Sequence, residues 1–187
     1  MEYFKKIVKE SIVIVLLTSF LGLISGIYLS DQYDLLRSIP IFIMVIPPLN
    51  ACIGDLSTIL ISKFTTYLYI GSIPPKIQKS ETLKNNFIAL LVTGILSVLF
   101  LSIISIIISP PNSLSTLNPI IYAFILLFTI VILFAVFFVI CFISAIFLFK
   151  HGKDPNNIMI PTLTSTADLI TPIILLIILQ IILPIFI

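Results

Sequence analysis

No charged residue occurs between Ile120 and Phe149. A run of this kind is longer than the roughly 20 apolar residues that cross about 30 Å of hydrocarbon. It is the strongest constraint on the fold, because a soluble domain has no place to put it. The rest of the chain agrees. Of its 187 residues, 59% are hydrophobic and 10% are charged, against about 25% charged in ordinary soluble domains. A mean hydropathy of +1.28 points the same way. With lipid as solvent, every backbone amide must be satisfied internally, which leaves helices or closed barrels. Barrel strands alternate apolar and polar residues, and these runs do not. The sequence therefore predicts an all-α integral membrane protein.

Five apolar runs can be laid out along the chain, and they predict five transmembrane helices in a single membrane domain over 1–187, with no soluble domain. The first is Ile12 to Leu29, preceded by Lys5, Lys6 and Lys9. It resembles a signal peptide but lacks a convincing small-residue cleavage site, so it reads as a retained helix. The polar loop Ser30 to Ser38 follows. The second run, Ile39 to Ile70, contains Pro47-Pro48, Asn50 and Gly54-Asp55. This predicts a helix broken near Pro47-Pro48, since proline removes an amide donor and freed backbone at membrane depth must line protein or a wet cavity. The third run is Phe87 to Ser109, the fourth Ile120 to Phe149, and the fifth starts near Ile158. Lys5, Lys6, Lys9, Lys76, Lys79, Lys84, Lys150 and Lys153 fall on one side of such a topology and Arg37 on the other. The positive-inside rule then places the N-terminus in the cytoplasm and the C-terminus outside, in a multi-pass plasma-membrane protein.

Three charges remain within the runs: Asp55, Lys63 and Asp168. A charge at the centre of a membrane helix costs about 2.5–3.5 kcal/mol on insertion scales, so such residues usually mark a pathway. Asp168 ends the stretch Thr162-Leu163-Thr164-Ser165-Thr166-Ala167-Asp168, and Thr171 follows three residues on. Thr164 and Ser165, four and three residues before it, share its helix face. Hydroxyls leading to a carboxylate suit a hydrated cation; the structural alternative is a packed cluster of small residues around a paired or protonated Asp. Asp55, after the proline pair and near Ser57 and Thr58, is either a group on an ion path or a cap for freed amides. Lys63 reads as a snorkelling residue or a partner for a carboxylate, not as a ligand.

Carboxylate and hydroxyl oxygens fit hard divalent cations, Mg²⁺ above all, because Mg²⁺ keeps much of its water. One carboxylate per chain holds such an ion poorly, whereas two copies of Asp168 facing across a twofold axis hold it well, which predicts a homodimer. His151 stands alone in a loop, Cys52 and Cys141 lie within apolar runs, and no cluster suggests zinc or a disulfide framework. A net charge of +2 without an aromatic-basic patch is too small to imply a nucleic-acid partner, and none is expected. An intramembrane enzyme is disfavoured too, because Ser57 and Lys63 are six residues apart and face different ways on a helix of 3.6 residues per turn. The remaining alternative is an accessory membrane subunit that passes no ion itself.

Two stretches resemble a known family. Gly152-Lys153-Asp154-Pro155-Asn156-Asn157, then Pro161, then Thr164-Ser165-Thr166-Ala167-Asp168 is similar to the G-x-D-P-(D/N)-N-x-x-x-P and T-S-x-x-D segment of MgtE-type magnesium channels and the related eukaryotic solute-carrier magnesium transporters. Gly54-Asp55 through Ser62-Lys63-Phe64-Thr65-Thr66 resembles their G-N-x-x-x-x-x-x-S-R-L-x-T motif. It departs from that motif with Asp55 for Asn, Lys63 for Arg and Phe64 for Leu. The resemblance implies a homodimer with a central pore for Mg²⁺ or related divalent cations. It also implies an ion site at Asp168 on the dimer axis, with Asp55 near the same path. A single unit without the regulatory domains of MgtE is expected, as in one half of the fused solute-carrier relatives.

Overall fold

The computed structural model describes residues 2–76, 78, 80–110 and 117–186. The side chains of residues 2–11, 13, 14, 185 and 186 fall outside the description, so Lys5, Lys6, Lys9 and Lys79 of the charge argument do as well. Six helices are present among the described residues: α1 (Glu2–Asp31), α2 (Tyr33–Ser38), α3 (Ile41–Ile70), α4 (Glu81–Ile108), α5 (Pro119–Lys150) and α6 (Pro155–Phe186). No strand is present among the described residues. Helices α3 to α6 are each long and apolar enough to cross a membrane, and α1 carries the shorter apolar stretch Val15–Asp31. The five runs of the sequence are thus the five long helices, and the loop after the first run contains the short α2.

The helix ends follow from local chemistry. Asn118 accepts a hydrogen bond from the Ile120 amide at 2.9 Å, with Pro119 in the first helical position, a standard start for α5. At the other end of α5, Gly152 adopts φ 67°, which a side chain would strain. Its amide bonds to the Phe149 carbonyl, and the Lys153 amide bonds to the Leu148 carbonyl, both at 3.0 Å. This pair of bonds closes the last turn as a Schellman motif. Asp154 then accepts from the Asn156 amide at 3.0 Å, and Pro155 opens α6. The G-x-D-P segment is therefore a helix stop followed by a helix start, and its residues need no ion to explain them.

The expected break in the second span does not occur. α3 runs unbroken from Ile41 to Ile70 with Pro47 and Pro48 inside it. The two rings remove amides that would serve the Ile43 and Met44 carbonyls, but the first half of the helix stays in place through its buried side. Ile41, Phe42, Val45, Ile46 and Leu49 are all buried there. Prolines are tolerated within membrane helices where neighbours hold both halves.

α3 is the central helix. It packs against α6, α5 and α4; α5 also packs against α4 and α6, and α1 lies on α6. The core includes Leu49, Leu60, Ile61, Ile125, Leu126 and Leu133. Near the Lys63 end, Phe64 meets Phe138 and Phe142 edge-on at 5.4 and 5.6 Å, and Phe87 meets Phe138 at 4.9 Å. Such edge-to-face pairs add to simple packing. Gly94 lets α4 approach: a Cβ there would meet Leu56 at 3.0 Å. Leu16, Phe20, Leu23 and Ile27 of α1, and Leu96, Phe100, Ile103 and Ile107 of α4, are exposed. In a bilayer these faces meet lipid, which is as apolar as they are.

Candidate cation site

Asp168 lies 13 residues after Pro155, about 20 Å along α6 at 1.5 Å per residue, near the middle of the helix. Its side chain is exposed at the surface of the single chain. The Asn50 side chain of α3 lies close to the carboxylate. Its amide oxygen, Oδ1, is buried without a hydrogen-bond partner. A lone acceptor oxygen is costly in a low-dielectric site unless something positive or protic fills the gap. Asn50 and Asp168 lie close together across the contact between α3 and α6. Gly54, one turn further along α3, leaves room for Thr164: a Cβ at Gly54 would sit 3.6 Å from the Thr164 methyl.

The hydroxyls before Asp168 are oriented by their own helix. Thr162 donates to the Ile158 carbonyl at 2.7 Å, Thr166 to the Thr162 carbonyl at 2.6 Å, and Thr164 to the Pro161 and Ile160 carbonyls at 3.0 and 3.3 Å. With their protons committed to backbone carbonyls, the hydroxyls keep lone pairs free to face a cation. Ser165 is half-buried on the same stretch. Thr171 turns fully into the core, and its hydroxyl has no partner.

Pro172 has a particular effect here. It stands four residues after Asp168, so the Asp168 carbonyl has no helical amide to accept from. Ser25 of α1 fills that role, donating to this carbonyl at 2.7 Å. Lower exposure of Ser25 (6%) than of its α1 neighbours reflects the contact. Gln180 and Gln32 join α6 to the end of α1 at 2.9 Å. The two contacts ascend both helices together, so α1 and α6 run parallel, as the first and fifth crossings must.

The other sequence candidates separate from this cluster. Asp55 does not share the Asn50 side of α3. Five residues at about 100° each turn it about 140° around the helix, and it lines a groove against Thr93 and Ser97 of α4. Lys63 pairs with neither carboxylate: its ammonium lies 3.4 Å from Asn86 Oδ1, and Asn86 in turn donates to the Thr82 carbonyl at 2.8 Å. Ser57 is buried and donates to the Ile53 carbonyl at 2.7 Å. No group of three or more His, Cys, Asp or Glu side chains that could hold a metal is found among the described residues. Both cysteines are free. The sequence reading passed over Asn50 and Ser25 as site residues, although Pro172 signalled that the Asp168 carbonyl would need an outside donor.

A lipid-bound helical bundle that carries a carboxylate among free oxygen acceptors at mid-span has the build of a membrane protein that handles cations. A family model described as MgtE, divalent cation transporter, matches residues 46–178, from the proline pair of α3 to beyond Asp168. The chain belongs to the MgtE divalent cation transporter family. Neither the curated proteins nor the solved structures gave a significant match. Ser25 and the rest of α1 lie outside the matched region.

Proposed function

We propose that this chain carries a hydrated divalent cation, Mg²⁺ foremost, across the plasma membrane past Asp168, in a homodimer. The partly unmet Asn50–Asp168 cluster is the observation that carries the reading. Its carboxylate is exposed in the single chain, at a depth where lipid would otherwise touch it. An ionised group facing hydrocarbon is costly. A second copy of the chain, with its own Asp168 opposite, removes that cost and supplies two negative charges for one divalent ion. Thr164 and Ser165 supply oxygens to the ion's water shell, and no full dehydration is required, in keeping with the slow dehydration of Mg²⁺. Asp55 contributes a further negative charge to the same membrane domain from the α4 side of α3. The lysine-bearing ends, with Lys76, Lys84, Lys150 and Lys153, face the cytoplasm.

The test is flux. The purified chain is reconstituted in liposomes containing a Mg²⁺-sensitive dye and compared with Asp168→Asn. Uptake by the native chain, lost in the variant with an unchanged elution profile and melting temperature, supports the proposal. Silence of the well-folded native chain refutes it in favour of the accessory-subunit reading.

A further inference from the structure

A cleft of about 880 Å³ opens between α4 and α5 at the lysine-bearing end of the bundle. Its floor is aromatic and its rim is charged. Phe87, Phe138 and Phe142 form the floor, each half-buried, with the rings of Phe87 and Phe138 edge to face at 4.9 Å. Ser80, Glu81 and Lys84 supply the polar side, and both charged side chains are exposed. The depth of this rim in the membrane follows from the helix lengths. Phe87 and Phe138 are level with each other; Glu81 opens α4 six residues before Phe87, and α5 runs twelve residues past Phe138 to Lys150. At 1.5 Å per residue, α5 overhangs the start of α4 by about 9 Å. The headgroup layer of one leaflet has a similar depth, about 5–8 Å. The uncharged run of α4 begins just after Lys84, so the notch spans the boundary between headgroups and hydrocarbon.

We propose that this cleft binds one phospholipid of the surrounding leaflet, with a primary-amine headgroup of the phosphoethanolamine kind. Charge, and its order along the helix, carry the assignment. Glu81 and Lys84 lie one helical turn apart, yet form no ion pair with each other or with another described side chain. Lys84 is the deeper of the two, and Glu81 is nearer to water. In a phospholipid the phosphate is likewise deeper than the amine it carries. Lys84 therefore meets the phosphate and Glu81 meets the ammonium, as charge-assisted hydrogen bonds. The two charges of the rim cancel, as do those of the headgroup. A headgroup with net negative charge sets its excess against Glu81, and a trimethylated amine has no N–H to donate to the carboxylate. An acyl chain lies along Phe87, Phe138 and Phe142, where ring surface left open by the start of α4 is covered. Neither Asp55 nor Asp168 lines the cleft, so lipid occupancy and ion flux are separable.

The test is native mass spectrometry of the full-length chain, released from detergent with equal amounts of phosphatidylethanolamine, phosphatidylcholine and phosphatidylglycerol of identical acyl chains. The native chain retains the ethanolamine lipid about threefold or more over either competitor, a factor within reach of one exposed charge pair. Lys84→Gln lowers retention of all three lipids, and Glu81→Gln removes the preference over phosphatidylglycerol. The exchanged variant, Glu81→Lys with Lys84→Glu, keeps the net charge but reverses its order, and it loses the preference altogether. Equal retention of the three lipids by the native chain overturns the proposal. So does a preference for phosphatidylglycerol, which marks plain attraction of an anionic headgroup to lysines. A preference that survives in the exchanged variant overturns it too, because the lipid then sits elsewhere. Where the exchanged variant does not fold, Glu81→Gln decides alone, and an unchanged preference refutes the site.

Discussion

Helices α5 and α6 are both 32 residues long and both cross the membrane, yet they are built on opposite plans. α5 has no proline beyond its first residue, and three of its polar side chains are engaged within the protein. Thr129 donates to the Ile125 carbonyl at 2.7 Å, and Tyr122 meets Ser105 at 2.7 Å. The Cys141 thiol lies 3.9 Å from the Ser57 carbonyl. α6 contains Pro161, Pro172 and Pro184, a run of hydroxyls, and an exposed carboxylate in its middle. Helix α5 keeps no charge within its span, whereas α6 presents a carboxylate at its middle. The contrast teaches that hydrophobic length alone does not tell a scaffold helix from a working one. What separates them is the carboxylate that α6 carries.

The contrast breaks most completely at Asp168. Asp168→Asn is expected to cut Mg²⁺ uptake into proteoliposomes by about a hundredfold or more, since it removes one unit of charge from the ion's position, worth several kcal/mol at low effective dielectric. Its thermal stability should stay close to that of the native chain. The scaffold helix should show the reverse. Phe137→Ala in α5, where the ring is 1% exposed, leaves a cavity expected to cost about 3 kcal/mol or more. Fluorescence-monitored melting measures that loss, and whatever folded protein remains should conduct. Asn50→Ala sharpens the comparison between these extremes. It removes the polar side chain beside the carboxylate and is expected to lower uptake about tenfold. Ser25→Ala removes the donor to the Asp168 carbonyl, a loss of about 1 kcal/mol, read as a small drop in melting temperature. Tyr122→Phe should be mildest, because Ser105 keeps its bond to the Ser102 carbonyl at 2.9 Å.

The legible part of this protein was set by solvent. Long uncharged runs admit only membrane helices, so the five long helices could be read directly from sequence. Asp168 stood out from sequence for the same reason, as a carboxylate amid hydroxyls in such a run. The proline pair misled, since a lost amide in α3 matters less than the buried side chains that hold Ile41 to Leu49 in place. Asp55 was expected beside Asp168 on the strength of a motif. The turn of the helix between Asn50 and Asp55 sends the two side chains to different neighbours, and which of them meets α6 depends on packing. Asn50 escaped notice because a neutral amide in an apolar run raises no alarm on its own. Its significance appears only once Asp168 is across from it.

The link from Ser25 to the Asp168 carbonyl carries one more consequence. At that rung, α6 is closed by a neighbour and not by itself. The half-helices before and after it can therefore tilt against each other without rupturing any bond of the α6 ladder; only the tether to α1 must stretch. The flex point of α6 thus coincides in height with its carboxylate, and the first helix of the chain holds the latch.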